Sequence, residues 1–140
     1  MSTTKNIHKL SVGSSTKHLA EVRDFVAQHA KNSGLSDKEI SEIRLAVDEA
    51  YTNIIKHAYH NKPSEPVTIE LGTSPKQLWI SIIDEGESFN PEEYRAPDIQ
   101  KRIKNKQRGG MGVFLIQKLM DKVQYSRKGS HNEIRMVKKL

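Results

Sequence analysis

The sequence predicts an α/β (α+β) two-layer sandwich, in which helices cover one face of a mixed, mostly antiparallel β-sheet. Three observations favour this fold class. Residues 43–59 carry apolar side chains at three- and four-residue intervals, as in a helix that faces a core. Two pairs of segments alternate apolar and polar residues around a turn, as in β-hairpins of a sheet. The 140 residues suffice for one domain, residues 1–140, with a single core.

The N-terminal part of the sequence predicts a strand and two helices. Residues 6–12 alternate imperfectly and predict a short strand. The first helix follows and stops at Gly34. Its apolar stripe consists of Leu19, Val22, Phe25, Val26 and His29. Ser36 and Glu39 form an S-x-x-E capping box, so we expect the second helix to begin there and to run to about Ala58.

A loop and a hairpin come next. Residues 60–66 contain two prolines and predict a loop. Residues 67–71 and 78–83 alternate apolar and polar side chains around a turn, which predicts the first hairpin.

The C-terminal part predicts a lid, a third helix and a second hairpin. Residues 90–109 are polar, basic and interrupted by two prolines; long segments of this kind are usually functional lids or disordered, and we interpret this one as a lid. Residues 113–120 have the apolar content of a helix. Residues 122–127 and 132–138 flank a turn at Gly129 and predict the last two strands.

Composition limits the possible chemistry. The sequence has no cysteine, which excludes disulfides and thiol catalysis, and its six histidines show no paired metal-binding pattern. The N-terminus lacks an apolar signal core, and no apolar run approaches the ~18 residues of a membrane span. We therefore expect a cytoplasmic protein without membrane contact.

The net charge of +6 suggests an anionic partner. Nucleic acid is not favoured, because aromatic residues are few and no helix-turn-helix pattern is present. The densest basic cluster, residues 101–108, lies beside glycines. This placement favours a phosphate-bearing small molecule or an acidic protein.

A polar line on the long helix is the first candidate for a functional site. Glu49, Asn53 and His57 are four residues apart, so their side chains follow one another beside the apolar stripe. The ordinary alternative is a solvated helix face. An amide oxygen such as that of Asn53 suits Mg²⁺, and a carboxylate such as Glu49 can accept or orient a proton.

Two further groups extend the candidate site. Asp84 and Gly86 follow directly on a predicted strand, and a carboxylate there can accept a hydrogen bond from an exocyclic amine such as that of adenine. Gly110 and Gly112 precede the third helix, where backbone N–H groups and the helix dipole can hold a phosphate. Each signal alone is weak, whereas their order and context are specific.

The three groups resemble the motifs of a known superfamily. LAVDEAYTNIIKHAY resembles the N box, DEGESF the first glycine box and RGGMGVFLI the second glycine box of the GHKL ATPases, which share the Bergerat fold. Within it, the chain is similar to the small bacterial anti-sigma-factor serine/threonine kinases. The resemblance spans residues 10–140.

This resemblance implies a role for each motif residue. It implies that Glu49 is the catalytic base and Asn53 the magnesium ligand. Asp84 would bind the adenine amine, with Gly86 beside it. The residues implied to contact the phosphates are Gly110, Gly112 and Arg108, the last contacting either the terminal phosphate or the protein substrate.

The resemblance also implies cofactors and partners. ATP or ADP would bind with Mg²⁺, and residues 90–109 would form the ATP lid. Such kinases phosphorylate a serine or threonine of an anti-anti-sigma factor, bind and inhibit a sigma factor, and typically form homodimers. The chief alternative is a binding module that uses the nucleotide as a switch and sequesters its partner without phosphorylating it; a nucleotide-independent interaction domain is disfavoured by the glycine loop.

One stretch departs from the superfamily pattern. Many members have a threonine near the start of the last strand, where it supports the adenine-binding aspartate. Here the corresponding residues, 129–135, read GSHNEIR and place Asn132 and Glu133 in that region. Asn132 or a water could substitute for the threonine.

Overall fold

The computed structural model describes residues 6–87 and 111–140. In chain order, its helices and strands are β1 (Asn6–Gly13), α1 (Leu19–Lys31), α2 (Asp37–Asn53), β2 (Pro66–Thr73), β3 (Gln77–Asp84), α3 (Met111–Leu119), β4 (Lys122–Lys128) and β5 (His131–Lys139). A short 3₁₀ turn precedes α1, and a π-helical turn, Ile54–Ala58, extends α2. Within these residues no helix has the length and apolarity needed to cross a membrane.

The strands of the described residues form one five-stranded sheet in the order β1-β2-β3-β5-β4. Every neighbouring pair in it is antiparallel. The prediction of a mostly antiparallel sheet with two hairpins is confirmed. Because β5 inserts next to β3, the end of β3 lies beside the start of β5.

The helices pack on one face of this sheet. Alternate residues of the central strands point toward them and are buried: Val67, Ile69, Leu71, Leu78, Ile80 and Ile82. The helices contribute Val22, Val26, Ile43, Val47, Tyr51 and Ile116 to the same cluster. Burial of this apolar surface is the main stabilising contribution to the sandwich.

The predicted start of the second helix at Ser36 is confirmed, whereas the first helix ends at Lys31, three residues before the predicted stop at Gly34. Gly34 adopts a φ of +85°, a left-handed conformation that glycine reaches without a steric cost, and it follows the end of α1. The Ser36 hydroxyl accepts a hydrogen bond from the Glu39 amide at 3.2 Å. The Glu39 carboxylate accepts one from the Ser36 amide at 3.2 Å, which completes the capping box.

The C-terminal end of the long helix differs from the prediction of an α-helix to about Ala58. The α-helix ends at Asn53, and the next five residues form a π turn closed by a 3.0 Å hydrogen bond from the Tyr59 amide to the Ile54 carbonyl. A π turn brings residue i+5 back over residue i. Ile54, Ile55 and Tyr59 are therefore all buried, an arrangement that α-helical periodicity does not give.

The loop after the π turn is attached to the end of β1. The buried Ser14 hydroxyl donates to the Lys62 carbonyl at 2.7 Å and accepts from the Glu65 amide at 3.0 Å. The Tyr51 hydroxyl contacts the carbonyls of Gly13 and Ser15. Burial raises the pKa of Tyr51, so this hydroxyl stays protonated as a donor.

A pair of stacked histidines joins β1 to α1. The rings of His8 and His29 lie 3.7 Å apart, centroid to centroid, and are nearly parallel, with an angle of 18° between their planes. Phe25 contacts the His29 ring edge-on at 4.9 Å. Burial lowers the pKa of His29, and the charge of His8 lowers it further.

We expect the folded state to lose stability as the pH falls below the ordinary histidine pKa of ~6.5, since the unfolded chain then binds a proton that native His29 resists. Between pH 7.5 and 5.5, the melting temperature should fall more for the wild type than for His29→Phe, which keeps a ring at this position. Phe25→Leu is the matched control and should lower both melting temperatures without changing their difference. Equal pH dependence of the wild type and His29→Phe would contradict this account.

Candidate functional site

A cavity of about 260 Å³ lies between the C-terminal end of α2 and the sheet, close to the lower end of the range typical of small-molecule sites. Its apolar walls include Ala50, Ile54, Ile116 and Ile134. Its polar lining includes Asn53, His57, Asp84 and Asn132. Apolar walls with a few polar groups are typical of a site for a partly apolar small molecule.

Asp84 is the buried charged group of this cavity. It is the last residue of β3, with the same side-chain direction as Ile80 and Ile82, and it is only 4% exposed. Its Oδ1 atom accepts hydrogen bonds from the Gly86 amide at 2.8 Å and from Asn132 Nδ2 at 2.9 Å. These donors offset the cost of removing the carboxylate from water.

Gly86 is where the chain passes closest to the π turn. A Cβ atom at this position would lie 2.4 Å from the Ala58 carbonyl oxygen, far inside van der Waals contact. The following residue, Glu87, donates its amide to the same oxygen at 2.9 Å. Glycine is required here by this close approach of two backbones, which holds the 85–87 turn against the π turn.

The polar line of α2 reaches the cavity only in part. Asn53, at the end of α2, and His57, in the π turn, both line it. Glu49 is half-buried one helical turn before Asn53 and is not among the residues that line the cavity. Of the predicted site residues, the structure therefore brings Asn53, Asp84 and Gly86 together, with Glu49 farther along the same helix.

The remaining predicted residues belong to the segment around the second glycine box. Arg108, Gly110 and the predicted lid, 90–109, lie outside the described residues. Gly112 lies in the first turn of α3, the helix that contributes Ile116 to the cavity wall. This helix begins at Met111, two residues earlier than predicted.

Sequence reasoning missed the role of Tyr59. Its hydroxyl donates to the Pro66 carbonyl at 2.6 Å and accepts from the Glu85 amide at 2.7 Å, which fixes the turn after Asp84. Burial raises the pKa of Tyr59. The hydrogen bond with the Glu85 backbone lowers this pKa by a smaller amount, and nearby carboxylates, including Asp84, raise it. A tyrosine at the end of an apolar helix was the available signal, because a buried hydroxyl needs a partner.

The chain matches a known class of domain. Residues 12–138 match the family model of the histidine kinase-like ATPase domain, so the chain belongs to that family.

Relatives within this class carry a more specific name. Serine-protein kinase RsbW of Bacillus mycoides (strain KBAB4) is 30% identical over 120 residues, which are 83% of this chain and 74% of the relative. Serine-protein kinase RsbW of Oceanobacillus iheyensis is 30% identical over 119 residues, 82% of this chain and 75% of the relative. The family resemblance inferred from the three motifs is confirmed.

A solved structure has the same fold. The crystal structure of the RsbU and RsbW domains of Rv1364c from Mycobacterium tuberculosis matches 96% of this chain with a TM-score of 0.68 at 12% sequence identity. This chain spans 32% of the length of that protein. The predicted fold class is thereby confirmed.

Gly86→Ala should destabilise the protein, because its Cβ would overlap the Ala58 carbonyl and force the 85–87 turn away from the π turn. We expect the free energy of unfolding to fall by ~1–3 kcal/mol, measured by urea denaturation. Gly13→Ala is the control, since a Cβ there meets its nearest atom at 3.4 Å. The proposed close packing is wrong if Gly86→Ala is as stable as the wild type.

Proposed function

We propose that the protein is an ATP-dependent serine/threonine protein kinase that phosphorylates an anti-anti-sigma factor and also binds and inhibits a sigma factor. The observation that carries this proposal is that Asp84, on β3, and Asn53, at the end of α2, line the same cavity with apolar walls. The name serine-protein kinase of the RsbW relatives supports the same activity.

The residues present fit an adenine nucleotide. The apolar walls, which include Ile54 and Ile134, suit a purine ring, which loses little by leaving water. Asp84, an acceptor-only group when ionised, suits the exocyclic amine of adenine and disfavours the carbonyl of guanine at the same position. ATP bound there would supply the phosphoryl group.

Asn53 and Glu49 would act on the other side of the base. The Asn53 amide oxygen is a suitable single protein ligand for Mg²⁺, which is otherwise held by waters and substrate phosphates in such sites. Glu49, one turn earlier on α2, would accept the proton of the substrate hydroxyl as it attacks the phosphorus. Gly110, Gly112 and Arg108 would bind the phosphates, and residues 90–109 would form the lid.

The alternative function is a switch, in which the bound nucleotide lets the protein sequester its partner without phosphorylating it. It needs the same nucleotide site but not Glu49, which is not among the cavity-lining residues. Nucleotide binding is common to both functions, whereas phosphotransfer belongs only to the kinase. In either case we propose a cytoplasmic homodimer.

Asp84→Asn should weaken the binding of ATP and ADP about tenfold or more, because one carboxylate acceptor for the adenine amine is replaced by a neutral amide. Titration calorimetry with and without Mg²⁺ gives the dissociation constants. Asp37→Asn, an exposed carboxylate in the first turn of α2, is the matched control and should bind as the wild type does. Unchanged affinity in Asp84→Asn would place the adenine elsewhere.

Glu49→Gln should bind ADP normally but transfer phosphate more slowly, by about 10²–10⁴-fold, since it removes a general base without removing a binding contact. The measurement is transfer of labelled phosphate from ATP to a purified anti-anti-sigma factor of the same organism. Glu21→Gln, an exposed carboxylate of α1, is the control. Unchanged transfer would exclude Glu49 as the base, and ADP binding without any transfer by the wild type would select the switch.

A further inference from the structure

Three polar side chains form a row across three strands at the edge of the cavity. Asp84 of β3 is paired with Asn132 of β5, and Asn132 is paired with Arg127 of β4. Residues directly opposite one another in a sheet point to the same face, so all three side chains lie on the helix-covered side. Two members of the row, Asp84 and Asn132, line the cavity.

Asn132 connects this row to the 85–87 turn. Its Nδ2 atom lies 2.9 Å from Asp84 Oδ1, 3.0 Å from the Gly86 carbonyl oxygen and 3.2 Å from the Glu87 carbonyl oxygen. Its Oδ1 atom accepts a hydrogen bond from Arg127 Nη1 at 2.7 Å. One amide side chain thus bonds to the carboxylate, to the turn and to the neighbouring strand.

Chemistry determines which way the Asn132 amide faces. A guanidinium group has donors only, and the three atoms near Nδ2 are all acceptors. The flipped amide would place its oxygen against a carboxylate and two carbonyls, and its NH₂ group against Arg127. Arg127 also donates to the Gly86 carbonyl at 3.2 Å, which holds the guanidinium in place.

This arrangement leaves Asp84 with one oxygen available to a ligand. Oδ1 is occupied by the Gly86 amide and by Asn132, whereas Oδ2 accepts no hydrogen bond from the described residues. Two donors on Oδ1 restrict rotation of the carboxylate. The orientation of Oδ2 therefore depends on Asn132, and through Asn132 on Arg127.

We propose that Asn132, oriented by Arg127, is a positioning residue that aims the Asp84 carboxylate at an exocyclic amine and so sets the preference of the site for an amino purine. The proposal rests on the proposed nucleotide-binding function. The Asn132 NH₂ group has two hydrogens, so it can donate to the carboxylate and to the turn at the same time.

The test compares two nucleotides that differ only in the amine. ADP carries it, and purine riboside 5′-diphosphate lacks it. Dissociation constants of both are measured by calorimetry for the wild type, Asn132→Ala, Asn132→Thr and Arg127→Ala. Gln124→Ala is the matched control, because Gln124 lies on β4 opposite Arg135 and on the other face of the sheet.

We expect the wild type to prefer ADP. In Asn132→Ala, ADP affinity should fall roughly tenfold and that of the purine riboside diphosphate much less, so the preference shrinks. Asn132→Thr should recover part of the preference, and Arg127→Ala, which leaves the amide without its anchor, should lose part of it. These two variants keep the test valid if Asn132→Ala does not fold, which thermal melting reports.

Three results would overturn the proposal, and they are distinguishable. If the affinities for both nucleotides fall by the same factor in Asn132→Ala, the residue has only a structural role. If the preference for ADP is unchanged in every variant, Asp84 is positioned without Asn132, and the proposed nucleotide site stands. If the wild type binds neither nucleotide, the proposed function itself fails, and this assignment fails with it.

Discussion

The burial of one carboxylate is the constraint around which the site is built. A charged group at the end of an apolar strand is costly unless donors surround it, and Asp84 obtains them from the turn that follows and from the adjacent strand. The turn can supply its amide only because Gly86 passes against the π turn. The pairing of β3 with β5, the glycine at position 86 and the π turn are thus linked through the hydrogen bonds to one buried carboxylate.

The two halves of the site are built from different structural elements. The Asp84 half is built on paired strands, and its turn is fixed by Tyr59 and Asn132. The Asn53 half lies where the α-helix changes to a π turn. In the proposed function, the Asp84 half would hold the purine while phosphate chemistry occurs near Asn53.

Much of the fold followed from the sequence, because local chemistry determines it. The capping box at Ser36 and the left-handed Gly34 are short-range features, and strand alternation gave both hairpins. The π turn could not be predicted from helical periodicity, because the hydrogen bonds of Tyr59 that accompany it go to the Pro66 carbonyl and the Glu85 amide, outside the helix. The bonds of Asn132 were equally inaccessible, since they depend on register between strands far apart in sequence.

Because of the π turn, the segment that joins α2 to the following loop must keep its length. Its five residues, Ile54–Ala58, contain one more residue than a regular helical turn needs. Deleting one would restore regular helix and rotate Tyr59 away from its partners by about 100°, the angle between successive α-helical residues. Loops commonly tolerate insertions and deletions. At this junction of helix and loop, a change of one residue would break the hydrogen bonds of Tyr59 that fix the turn after Asp84.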